Sequence, residues 1–333
     1  MPTSEKRFGC LGVFIVAVLC LSLLFNLAFV FGELFNLSSA GPHRSHEVVL
    51  EKAAAGVSTK IAVIRLTGVI SSLESGMIGG ATPGEIKQQF KQALEDKAVR
   101  AIILAINSPG GEVTASDEIY NIVRKARESK KVVVSMGALA ASGGYYAALG
   151  GDYIIAHDTT FTGSIGVIMQ TLNYADLFGK VGLQTVTFKS GEFKDMLSGS
   201  RPITPAEKKY VQELVMQTYD KFVGIVATER KLSKDELVNG PADGRVLSGK
   251  DALAAKLIDE IGDFETAVQK AMQLGGAQGA AVVEYRPIDG LGRYLRLLGK
   301  ADESKRVEIN LGPQPSLHLQ PGRLYLLPDI LAP

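Results

Sequence analysis

The sequence predicts an α/β domain, a mainly parallel sheet flanked by helices, behind an N-terminal transmembrane helix. Two observations predict the domain. From Lys60 onward, strand-like and helix-like segments alternate. The strand-like segments are continuous apolar runs, the pattern of parallel strands covered on both faces. A third observation predicts the transmembrane helix: Phe8 to Gly32 is a run of 25 residues without a charge. At ~1.5 Å per residue it is long enough to cross a hydrocarbon core of ~30 Å.

Lys6 and Arg7 precede this run, and Glu33 is the first charge after it. The positive-inside rule places the N-terminus in the cytoplasm and the rest outside it. A cleavable signal peptide ending near Ser38-Ser39-Ala40 is the rival reading, but the apolar stretch is long for one. Leu19 is too large for the residue before a lipoprotein cysteine at Cys20. The sequence thus divides into an anchor at 8–32, a linker at 33–57, a folded domain at 58–275 and a partly mobile extension at 276–333.

Within the domain, IAVIRL after Lys60 reads as the first strand. A helix follows from Pro83 to Asp96, with Thr82 as N-cap, Pro83 at the first position and Glu85 in the first turn. RAIILAI (100–106) is a strand, NSPGGEV a loop, 114–129 a helix and KVVVSM a third strand. DYIIA (152–156) and LQTVTF (183–188) read as further strands around the turn-rich TFTGSIGV (160–167). A long helix runs from about Pro205 to Arg230, with Tyr210, Val211, Leu214, Val215, Phe222 and Ile225 near helical spacing. Residues 244–262 read as a short strand, a helix capped by Ser248, and a turn.

The formal net charge is +1, which gives no electrostatic basis for nucleic-acid binding. Both cysteines, Cys10 and Cys20, lie in the apolar run. The domain therefore has no disulfide, cysteine-ligated metal or thiol chemistry. No metal and no cofactor is expected.

Ser142 lies in SMGALAASGGYYAAL, a small-residue turn between an apolar strand and a short helix, the setting of a nucleophile approached closely by its substrate. The chain has four histidines, and only His157 falls inside the domain. A Ser-His-Asp triad is poorly supplied, so the base for Ser142 is another residue type, with lysine the usual substitute. A lysine acts as base only when its amine is neutral, which burial favours. FKSGEFKDMLSGSRP offers Lys189 and Lys194, and context alone does not choose between them. An oxyanion hole needs two converging backbone amides. Gly143 offers one at a helix start. The glycine pair of NSPGG, at the C-terminal end of a parallel strand, could offer the second.

Taken in order, NSPGG, MGALAASGGYY, TGSIGVIM, FKSGEFKDMLS and ADGRVLSGKDALAAKLIDEIG resemble the signal peptide peptidase A family in its short, membrane-anchored form. The resemblance runs from about residue 60 to 270. It implies a fold like crotonases and the Clp protease subunit, and a serine–lysine endopeptidase working through an acyl-enzyme. By similarity, Ser142 is the nucleophile, Lys194 rather than Lys189 the base, and Gly111 and Gly143 the oxyanion-hole positions. Ser164 matches a serine that holds the lysine amine; the residues themselves leave Tyr145 and Ser190 open for that task. The resemblance also implies signal peptides left in the membrane as substrates, an enclosing homo-oligomeric ring, and a catalytic domain outside the cytoplasm on a single-pass anchor.

Two other readings stand beside it: the same dyad acting on a different membrane protein or on misfolded envelope peptides, and, more distantly, a crotonase-like acyl-CoA enzyme. Ala138, Leu139, Ala140, Ala141, Ile165 and Val167 are small and apolar, which suits small or medium apolar residues before the scissile bond. Residues 323–331 (RLYLLPDIL) are apolar and could add as a strand near the NSPGG loop.

Overall fold

The computed structural model describes residues 45–72, 81–286, the strand Tyr325–Leu326 and a few positions from 18 to 26. The expected anchor otherwise lies outside the described residues. Among the described residues, no helix is long and apolar enough to cross a membrane.

The sheet has nine strands. Its main path runs β1 (His46–Glu51), β10 (Ala281–Arg286), β2 (Lys60–Thr67), β3 (Val99–Ser108), β5 (Lys131–Ala141), β6 (Tyr153–Ala156) and β9 (Glu260–Ile261). All neighbours on this path are parallel except β1 and β10. β7 (Phe161–Gly163) pairs parallel with the end of β5 and antiparallel with β8 (Val246–Ser248). The mainly parallel sheet is as the apolar runs predict.

Alternate residues of each central strand serve different layers. Ala62, Ile64, Leu66, Ile102, Leu104 and Ile106 pack with helices α1 (Pro83–Glu95), α2 (Val113–Arg127), α3 (Gly143–Ala148) and the end of α5 (Pro205–Arg230). Ile61, Val63, Ala101, Ile103 and Val133 pack against Ala267, Val268 and Ala271 of α8 (Phe264–Gly275). Helix starts follow the cap signals: Thr82 accepts the Glu85 amide and Ser248 accepts that of Asp251.

Three features differ from the expectation. LQTVTF forms no strand; it runs through residues 183–188 in extended, exposed chain, with Phe188 96% exposed. Its β-branched residues favour pleated structure only where another strand or core is present to pack against, and the described residues supply neither. The turn-rich segment contains β7. Finally, β1 and β10 extend the sheet to residues on both sides of 58–275. The buried carboxylate of Glu284 interrupts the apolar pattern of β10, where Arg65 and Arg286 pair with it.

Candidate active site

β5 ends at Ala141, and the chain turns through Ser142 into α3. Ser142 takes φ 53°, ψ −113°, a conformation that side chains disfavour and glycine accepts readily. Its amide donates to the Gly163 carbonyl at 2.8 Å, and its own carbonyl accepts the Tyr146 amide at 2.8 Å. The turn is therefore held from both sides. Its Oγ is buried and has no hydrogen-bond partner. A buried hydroxyl without a partner is costly, and such groups concentrate where a reactant completes the bonding. Every residue of α3 is buried, so Ser142 sits at the head of an immobile helix.

The second wall is NSPGG. The Ser108 hydroxyl donates to the Gly68 carbonyl at 2.6 Å and accepts the Gly110 amide at 3.1 Å. The Gly110 carbonyl in turn accepts the Ile70 amide at 2.8 Å. In a trans peptide the carbonyl and the following N–H point oppositely, so the Gly111 amide is aimed away from Ile70. A Cβ on Gly111 would lie 1.9 Å from the Ile70 carbonyl oxygen, and one on Gly143 would lie 3.0 Å from the Gly111 nitrogen. At Gly111 no side chain fits without moving backbone, whereas at Gly143 the Ser116 hydroxyl would have to shift. Gly143 is the first residue of α3, where helices leave amides unpaired. The fold thus brings Ser142, Gly143 and Gly111 together.

Ser164 follows Gly163, the residue bonded to the Ser142 amide. It is nearly buried at φ 48°, with its amide on the Arg245 carbonyl at 2.8 Å. The rival Tyr145 hydroxyl is spent on the Leu257 carbonyl at 2.9 Å, and burial pushes this phenol up in pKa. Ser190 lies exposed on a largely exposed arm, residues 170–194, which also carries Lys189 and Lys194.

The two candidate lysines have different surroundings. Lys189 donates to Asp195 Oδ1 at 2.7 Å and to the Glu192 carbonyl at 3.0 Å. Its ammonium is committed to a carboxylate. Lys194 lies in the 3-10 turn Glu192–Asp195, exposed, and no hydrogen bond or ion pair of the described residues uses its amine. No hydrogen bond joins it to Ser142 within one chain. Sequence reasoning missed Arg201, whose guanidinium, together with Lys189, holds the Asp195 carboxyl well below the usual carboxylate range. Among the described residues, no cluster of three His, Cys, Asp or Glu side chains could hold a metal ion.

The small apolar residues named for substrate contact do not all share one environment. Ala140, Ala141 and Ile165 are buried, Leu139 and Val167 are half-buried, and Ala138 is exposed. β4 (Gly111–Glu112) carries on its free edge the strand β11 (Tyr325–Leu326), antiparallel, with Leu326 opposite Gly111. Tyr325 and Leu326, within the apolar run 323–331, thus pair as a short strand at NSPGG.

A mainly parallel α/β sheet thus carries a strained serine and a pair of glycines at its strand ends. The Clp protease family model matches residues 82–159, and the model described as peptidase family S49 matches residues 124–278. A candidate signal peptide peptidase SppA of Enterococcus faecium is 37% identical over 247 residues, covering 73% of this chain and 72% of that protein. A candidate protease of Synechocystis sp. is 38% identical, covering 78% of this chain and 90% of the relative. Protease 4 of Haemophilus influenzae is 39% identical over 66% of this chain, which spans only 35% of that longer protein. The chain belongs to peptidase family S49, of the signal peptide peptidase A type, and is by class a serine hydrolase.

Proposed function

We propose that this chain is a membrane-anchored endopeptidase with a Ser142–Lys194 dyad, which degrades signal peptides left in the membrane after preprotein processing. The observation that carries the reading is the Ser142 turn: a strained, buried, unpartnered hydroxyl beside two glycine amides.

In this reading the Lys194 amine takes the Ser142 Oγ proton as Oγ attacks the scissile carbonyl. The Gly111 and Gly143 amides receive the developing oxyanion, a contribution of about 3 kcal/mol for each donor. Lys194, now an ammonium, gives its proton to the departing amine. Water, deprotonated by the same lysine, then hydrolyses the acyl-enzyme. Ser164, beside Gly163, orients the lysine amine.

Lys194 and Ser142 are unpaired within one chain, and the arm carrying Lys194 exposes Leu172, Val186 and Phe188 at 79%, 75% and 96%. These features support a homo-oligomeric ring in which apolar arms pack on neighbouring copies and the dyad closes between subunits. Residues 8–32 serve as the anchor, with the N-terminus cytoplasmic, residues 33–57 including a tether, and the catalytic domain outside. The test is co-expression of Ser142→Ala and Lys194→Ala chains carrying different tags. A between-subunit dyad restores activity in the mixed assembly, whereas a within-chain dyad leaves it dead.

A further inference from the structure

Arg201 lies between two acidic side chains, one in the turn that carries Lys194 and one in α5. Its Nε donates to Asp195 Oδ2 at 2.8 Å and one terminal nitrogen to Oδ1 at 2.7 Å, a two-pronged grip. The other terminal nitrogen donates to Glu207 Oε2 at 3.0 Å and to the Pro202 carbonyl at 3.1 Å. Glu207 is 1% exposed. Its carboxylate also accepts the Thr204 amide at 2.9 Å, as half of the capping box that starts α5.

Asp195 directly follows Lys194. Phe193 directly precedes it and packs its ring 5.5 Å from that of Tyr210 on α5. Both chain neighbours of Lys194 are therefore fastened to α5, which reaches the core through Phe222, Val223 and Val226. A 3-10 turn is a weakly bonded element by itself, and the next residues but one include Leu197 at φ 68°. Exposed ion pairs contribute little to stability. Forked arginine–carboxylate pairs, by contrast, fix direction. A carboxylate as buried as Glu207 is better explained by position than by stability.

We propose that Arg201 is a positioning residue for the general base: it clamps the turn Glu192–Asp195 to the start of α5 and so aims the Lys194 amine. The role rests on the reading of Lys194 as base. Arg201 itself touches no reacting atom. It acts on the rate because reacting groups misplaced by about 1 Å lose on the order of 10²-fold.

The test is steady-state kinetics of the full chain on a fluorogenic apolar peptide, with melting temperatures as a folding check. Arg201→Met should lower kcat by about 10²-fold with little change in KM, because substrate contacts lie elsewhere. It leaves Glu207 unpaired, so the double variant Arg201→Met with Glu207→Gln accompanies it. Glutamine keeps the capping box, and this variant should be equally slow if Arg201→Met fails to fold. Adding Arg201→Met to Lys194→Ala should cost nothing further, because the clamp acts only through that lysine. Wild-type kcat in the folded Arg201 variants overturns the proposal. So does a loss in the Lys194→Ala background as large as in wild type, which would mark a general structural role. Lys194→Ala at the wild-type rate instead overturns the base assignment, and Arg201 loses its role with it.

Discussion

A Cβ placed on Gly143 would stand 3.0 Å from the amide nitrogen of Gly111 and 2.5 Å from the Ser116 hydroxyl. The two glycines of the proposed oxyanion hole are thus in contact, each leaving room for the other. Gly143→Ala should fold, because the serine hydroxyl can give way, yet lose about 10²–10³ in kcat through displaced amides. Gly111→Ala meets backbone at 1.9 Å and should also lower the melting temperature. Kinetics alongside calorimetry separates the two; full activity in Gly143→Ala would remove that amide from the hole.

Ser142→Ala should be folded and inactive, a loss of several orders of magnitude. Ser142→Gly should be just as inactive but more stable than Ser142→Ala. Glycine relieves the strain at φ 53°, a stabilisation on the order of 1 kcal/mol. Denaturant melts of the two variants compare them directly, and equal stabilities would show the turn to be unstrained.

Lys194→Ala should lose several orders of magnitude in kcat, keeping only the small residual rate that oxyanion stabilisation supplies, while Lys189→Ala keeps most activity. Lys189 is engaged with Asp195, which Arg201 still holds. A dead Lys189→Ala with an active Lys194→Ala would reverse the assignment.

The pairing of Leu326 with Gly111 places Tyr325–Leu326 along the edge where an extended substrate would lie. Deleting 323–333 should therefore raise the initial peptidase rate. Intact-mass spectrometry should find the last 10–40 residues (a rough range for an exposed terminus) trimmed in wild type and retained in Ser142→Ala. Identical termini in both, with an unchanged rate after deletion, would separate the strand from catalysis.

The central sheet was legible because its apolar runs, such as IAVIRL and RAIILAI, are dictated by burial on both faces. Pro205–Arg230 was legible from its proline, cap and spacing. β10 was not, because Glu284 breaks its apolar pattern and only distant Arg65 and adjacent Arg286 explain that charge. LQTVTF misled for the opposite reason: its strand-forming residues have no strand partner among the described residues. The serine turn could be read from small residues alone. The different surroundings of Lys189 and Lys194 could not, because the ion pair of Lys189 with Asp195 depends on how the turn Glu192–Asp195 folds back. Arg201 went unread because its two partners are local in sequence, and SGSRPITPAE reads as a plain helix start.

The most direct test of the central claim, that Ser142 is the nucleophile, is active-site labelling of the full chain with a fluorophosphonate, followed by peptide mapping. One adduct is expected, on Ser142, with peptidase activity lost in proportion. Ser142→Ala should take no label, and labelling should be strongly slowed in Lys194→Ala. An adduct on another serine, or peptidase activity retained in Ser142→Ala, would contradict it.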